Sequence, residues 1–261
     1  MSRNRWMALA FSAGSACFLI GPFPGYLGLV GPAADAVTFF VGSVLFTVGG
    51  VLQVRAAAPG RDDLPAGRAA WTAAVVQSAG TLFFNVSTFQ AMQTSLSDPA
   101  YDRLVWRPDA FGSVCFLVSG LIAYRASARH GWRPARGPAG WWQPGINLLG
   151  CILFGAAAVA GHLVPSTGTL LDLAAANWTT SLGAACFLAC ALPGLRPGAR
   201  DVRGRSGRAG PEPPAGERGG RPPRRGGSAL RGDVTPTGWC AGIAAGRRVV
   251  PLRSSQGASC R

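Results

Sequence analysis

Four uncharged polar residues, Gln77, Thr81, Asn85 and Thr88, stand at spacings of four, four and three and would form one stripe along a helix. Amides and hydroxyls in that array could line a path for a small neutral solute, since selectivity sites use such groups at close quarters. Their plainer use is hydrogen bonding between helices, at about 0.6–2 kcal/mol per contact inside a membrane. His162 could meet Asp172, Asp35 or Asp109 and there sense pH or hold a metal. The alternative is a simply solvated side chain near a helix end. Cys186 and Cys190, at i and i+4, suggest a redox or metal pair. Buried free cysteines, Cys17, Cys115 and Cys151 included, ordinarily behave as small apolar side chains.

Catalysis finds little footing. All 25 basic residues are Arg, so no phosphate-binding Gly-rich loop ending in Lys can occur. No His-Glu-x-x-His or Gly-x-Ser-x-Gly is present, and His130 and His162, the only histidines, both lie away from the middle of any apolar run. No catalytic, cofactor or metal-binding residues are assigned, and the chain is read as a non-enzyme.

The elements that must position these residues are long apolar helices. Of 261 residues 48% are hydrophobic and only 14% charged, against about 25% charged in ordinary soluble domains. Six runs free of Arg, Asp and Glu suit a hydrocarbon core that takes roughly 17–25 residues to cross. They run approximately over Met7–Pro22, Thr38–Val54, Trp71–Met92, Ala110–Tyr124, Pro144–Val164 and Ala174–Leu192. No Asp, Glu or Arg lies near the middle of any run, which argues against ion-coupled transport.

The net charge of +14 divides unevenly: 11 Arg face 7 acids before Pro193, and 14 face 4 after it. Segments around 23–37, 93–109 and 165–173 hold only Arg103 and Arg107. Every other Arg falls at the termini or in the alternate connections. Arginine marks the cytoplasmic side, so both termini are expected inside. Trp6, Trp71, Trp106, Trp141 and Trp142 then fall near span ends, where an indole prefers the headgroup level.

Every run carries a Gly followed four residues later by a Phe: Gly14/Phe18, Gly42/Phe46, Gly80/Phe84, Gly112/Phe116, Gly150/Phe154 and Gly183/Phe187. The steps between successive Gly are 28, 38, 32, 38 and 33 residues. The shorter steps pair the runs as three tandem hairpins, about 7–54, 71–124 and 144–192. Lipid gives helices no hydrophobic reason to associate, so close approach through small residues must supply the contact. A Phe one turn from a Gly is a knob beside a hole, which a neighbour can answer with its own pair. Gln53, Gln77, Thr81, Thr88, Ser119, Asn147 and Thr180 fall within about 80° of the Gly/Phe face, which is therefore expected to be the bundle interior.

The segments Phe40-Val41-Gly42-Ser43-Val44-Leu45-Phe46 and Asn177-Trp178-Thr179-Thr180-Ser181-Leu182-Gly183-Ala184-Ala185-Cys186-Phe187 resemble the helices of YrhK-like domains, small bacterial two-helix membrane modules. The resemblance covers about residues 35–54 and 109–192. It implies an integral membrane module of the bacterial inner membrane and brings no catalytic residues. Three hairpins and a long tail depart from a single module.

The expected fold is therefore an all-α integral membrane domain of six transmembrane helices over residues 1–192, with a disordered cytoplasmic tail over 193–261. The tail is rich in Arg, Gly and Pro and has scarcely an apolar run. Its stretch 218–227 could hold RNA or anionic headgroups by charge. Attraction to the inner leaflet is the simpler reading, so the lipid bilayer and its anionic lipids are the expected partners and nucleic acid is not. The composition changes abruptly at about Leu192, as it would if a GC-rich gene were read in a shifted frame from there. A structural or interaction role is the leading expectation; a channel or uniporter for a small neutral solute is the alternative.

Overall fold

The computed structural model describes residues 2–58, 65–93, 96–128 and 142–196. The tail from 197 onward, with Cys240 and Cys260, lies outside the described residues, as do His130, Trp141 and Arg61.

Eight α-helices are described: α1 (Arg3–Ile20), α2 (Tyr26–Val30), α3 (Pro32–Ala57), α4 (Pro65–Ala91), α5 (Asp98–Tyr101), α6 (Arg107–Ser127), α7 (Trp142–Ala160) and α8 (Leu173–Ala191). Local chemistry sets several ends. Gly31 takes φ 81°, which only glycine adopts without strain, and Pro32 follows at the first turn of α3. The Asp172 carboxylate accepts from the Ala175 N–H at 2.9 Å and caps α8.

The six long helices close into a circle in which α1, α3, α4, α6, α7 and α8 each pack against the next, and α8 packs back against α1. The closest pairings are α1 with α3, α4 with α6, and α7 with α8, the three hairpins that the Gly spacing marks. The outward faces of the helices are strongly apolar, while the interior mixes phenylalanine with uncharged polar groups. Val41, Val44, Val48 and Val51 form an exposed stripe along α3, as do Leu82, Phe83, Val86 and Phe89 on α4 and Phe111, Val114, Val118 and Leu121 on α6. Gln53, Gln77, Thr81, Thr88, Ser119 and Asn147 are buried within, while Thr180 is only half-buried.

Among the described residues four helices are long and apolar enough to cross a membrane: Pro32–Ala57, the continuous Asp98–Ser127, Trp142–Ala160 and Leu173–Leu195. The other two of the six runs, α1 and α4, are not among them. The α1 helix spends its first turn on Arg3, Asn4 and Arg5, and α4 carries Arg68 and the polar stripe, which lowers the hydropathy of both.

Two connections differ from the sequence expectation. Residues 93–109 were expected as a connection between spans, because five charged residues, Asp98, Asp102, Arg103, Arg107 and Asp109, keep them out of the apolar runs. Instead Asp98–Tyr101 begins a helix that runs through a π turn, Asp102–Trp106, into α6. Pro108 has no N–H to give the carbonyl four residues back, and the widened turn ends two residues before it, at Trp106. Arg107 and Asp102 pair at 2.9 Å across that turn, in the open, where such pairs contribute little. Between α7 and α8 lies a small antiparallel hairpin, β1 (Leu163–Val164) with β2 (Thr169–Leu170).

Candidate functional site

In an antiparallel pair, Gly followed by Phe on one helix meets Phe followed by Gly on the other, so each ring can lie over its neighbour's glycine. All three hairpins are built this way. A Cβ added at Gly14 would stand 2.9 Å from the Phe46 ring, and one at Gly42 would stand 3.1 Å from Phe18. At Gly80 and Gly112 the distances to Phe116 and Phe84 would be 2.8 and 3.1 Å, and at Gly150 and Gly183 those to Phe187 and Phe154 would be 2.8 and 2.6 Å. Backbones approach as closely: the added Cβ at Gly14 would lie 2.9 Å from the Gly42 carbonyl oxygen, and that at Gly80 3.0 Å from the Gly112 oxygen.

The six phenylalanines meet at the centre. Within the hairpins Phe18 and Phe46, Phe84 and Phe116, and Phe154 and Phe187 have ring centroids 5.7, 5.0 and 5.3 Å apart. Across hairpins Phe18 touches Phe154 at 5.8 Å, Phe46 touches Phe187 at 5.9 Å, and Phe84 touches Phe154 at 5.9 Å. Several of these meet edge to face, the arrangement that the ring quadrupole favours. None of the six is more than 6% exposed. The layer fills the middle of the helix circle with hydrocarbon.

The polar stripe of α4 divides between two neighbours. The Asn85 amide donates to the Thr47 hydroxyl on α3 at 2.9 Å, and the Thr88 and Ser43 hydroxyls share a buried bond of 2.9 Å. Thr81 donates to the Ser78 carbonyl of its own helix at 2.7 Å. Gln77 faces Ser119 of α6. Other seams use the same device: Ser113 donates to the Phe154 carbonyl at 3.3 Å, and Ser181 to the Leu19 carbonyl at 3.2 Å. A Ser43→Ala substitution removes a single such contact. It is expected to cost about 1 kcal/mol in reversible unfolding of the purified chain in micelles, with Thr88→Val costing about the same.

His162 lies against the Trp106 ring, with centroids 4.5 Å apart, and its Nδ1 is buried without a partner. The Trp106 indole N–H donates to the Ala158 carbonyl at 2.8 Å. The carboxylates considered for His162 act elsewhere or stand apart: Asp172 caps α8, and neither Asp35 nor Asp109 bonds to the imidazole. Sequence reasoning missed the Trp106 contact because it rests on residues 98–106 being helical. Cys190 donates weakly to the Gln143 carbonyl at 3.4 Å. Cys17, Cys115 and Cys186 each follow the Gly of their own helix by three residues, and their Cβ atoms press on Gly42, Gly80 and Gly150. Among the described residues no group of three His, Cys, Asp or Glu side chains is arranged to hold a metal.

Comparison with family models, curated proteins and solved structures gives no match.

Proposed function

We propose that this chain is a six-span protein of YrhK-like type in a bacterial inner membrane, with both termini cytoplasmic, whose role is structural or interactive and not catalytic. The observation that carries this reading is the closed phenylalanine layer. The device that recurs in every long helix is spent on packing, since each of the six rings lies over the glycine of its hairpin partner. Support for counting α1 and α4 as spans comes from their place in the circle: α4 turns its polar stripe to its neighbours and Leu82, Phe83, Val86 and Phe89 outward. Polar groups facing lipid without partners would cost several kcal/mol each. The expected partners are lipids, with the Arg-rich tail drawn to anionic headgroups of the inner leaflet.

A channel or uniporter along Gln77, Thr81, Asn85 and Thr88 fits less well. Asn85 and Thr88 are committed to α3, and six rings close the axis beside Thr81. The two readings separate by thiol labelling. With the native cysteines replaced, single cysteines at Gln77, Thr81 and Asn85 are expected to resist a bulky membrane-impermeant thiol reagent in intact cells. Rapid labelling at all three would favour the channel.

A further inference from the structure

The repeat that builds the phenylalanine layer also sets a second layer beneath it. Seven residues before the Phe of the first helix in each hairpin stand Phe11, Gln77 and Asn147. Seven residues make nearly two full turns, so each of these side chains leaves its helix in almost the direction of the ring above it. All three are buried, at 0%, 2% and 4% exposure. Three residues past the Phe of the second helix stand Gly49, Ser119 and Cys190. Ser119 donates to the Ala73 carbonyl at 2.8 Å, and Cys190 to the Gln143 carbonyl at 3.4 Å. Ala73 and Gln143 are themselves equivalent positions, each eleven residues before its helix's Phe.

Hairpin one breaks the pattern in an informative way. Gly49 leaves room that the Phe11 ring takes up, at 2.9 Å from a Cβ built on that glycine. The other two hairpins place amides where the first places a ring. Phe84 and Phe154 touch across the axis at 5.9 Å, and Gln77 and Asn147 stand two turns below them on the same helix faces, with slimmer side chains.

Neither amide is satisfied. The partner of Gln77 among the described residues is Ser119, whose oxygen is 3.4 Å from Oε1, and the single Ser119 proton serves the Ala73 carbonyl. Turning the Gln77 amide over would let it donate to Ser119 but would leave its oxygen bare. In either orientation one end has no partner. As placed, Gln77 Nε2 and Asn147 Oδ1 are both buried and unbonded, one a donor and the other an acceptor.

We propose that Gln77 and Asn147, with Phe11 on the third side, form a binding site for one small neutral molecule of the carboxamide or urea class. Its carbonyl accepts from the Gln77 amide, and its N–H donates to Asn147 Oδ1. Among the described residues no charged side chain is buried, so a charged ligand here would be buried without compensation. This site goes beyond the packing role and does not depend on the orientation of the chain in the membrane.

The test is saturation-transfer NMR on the full chain in lipid nanodiscs, with acetamide and with urea as probes. Saturable transfer to at least one probe is expected for the wild type. Affinity should fall about tenfold or more for Gln77→Met or for Asn147→Leu, each of which removes one hydrogen bond. A second variant, Asn147→Phe with Cys190→Gly, copies the Phe11/Gly49 arrangement into the third hairpin; it should stay folded and abolish binding. Asn85→Leu, on the other side of the phenylalanine layer, should leave affinity unchanged. Absence of saturable transfer in the wild type, transfer from water alone, or equal affinity in the amide variants would overturn the proposal.

Discussion

A Phe116→Ala variant is expected to lose about 2–3 kcal/mol of stability, measured by reversible unfolding in micelles. Phe116 is 1% exposed and packs against Phe46, Phe84, Phe154 and Phe187, so it joins all three hairpins. In water, removing a buried Phe costs a transfer component and a cavity component. Inside a bilayer the transfer component largely vanishes, because a ring released from the core meets lipid instead of water. The cavity remains, and about 24 cal/mol per Å3 over roughly 100 Å3 of lost ring gives the figure above. Phe111→Ala on the same helix, at an outward position 58% exposed, should cost well under 1 kcal/mol. Equal losses at the two positions would remove the central layer from the energetics.

The second large effect is expected at the glycines. In Gly183→Ala the new methyl would lie 2.6 Å from the Phe154 ring and 3.1 Å from the Gly150 carbonyl oxygen. The ring has no free space to retreat into, since Phe187 and Phe84 hold its other edges. Overpacking of this kind costs about 1–3 kcal/mol. Removing the ring vacates the volume that the methyl needs, so Gly183→Ala combined with Phe154→Ala should cost less than the two single changes together, by about 1 kcal/mol or more. Strict additivity would mean that the Gly and the Phe are not in contact. At Gly28, where an added Cβ meets nothing within 4 Å, the same change should be nearly neutral.

The Gly/Phe pairing was legible in the sequence because it depends only on helical period and antiparallel sense, which six repeats and the Arg asymmetry supply. The inward side of that face was legible too, since Gln53, Gln77, Thr81, Ser119 and Asn147 cluster on it. The partners of the polar residues were not. Thr88 meets Ser43, forty-five positions away, and that contact depends on α4 standing beside α3 in the circle, which no local pattern encodes. The start of α6 was not legible because Asp98, Asp102, Arg103, Arg107 and Asp109 exclude residues 98–109 from an apolar run, although the helix runs through them. The layer of Phe11, Gln77 and Asn147 left a usable signal, the offset of seven residues before each Phe. The polar stripe of α4 drew attention to Gln77 by its neighbours in sequence and not by its equivalents in the other hairpins.

The claim on which the rest depends is that α1 and α4 cross the membrane along with the four more apolar helices. Alkaline phosphatase fusions test it directly, since the enzyme is active only when exported. Activity is expected at Gly28, Asp98 and Thr167, and inactivity at Ala58, Ala139 and Gly194. The decisive comparison is Ala58 against Asp98, which flank α4: opposite activities are expected if α4 spans the bilayer, and equal activities at the two positions would contradict the six-span reading.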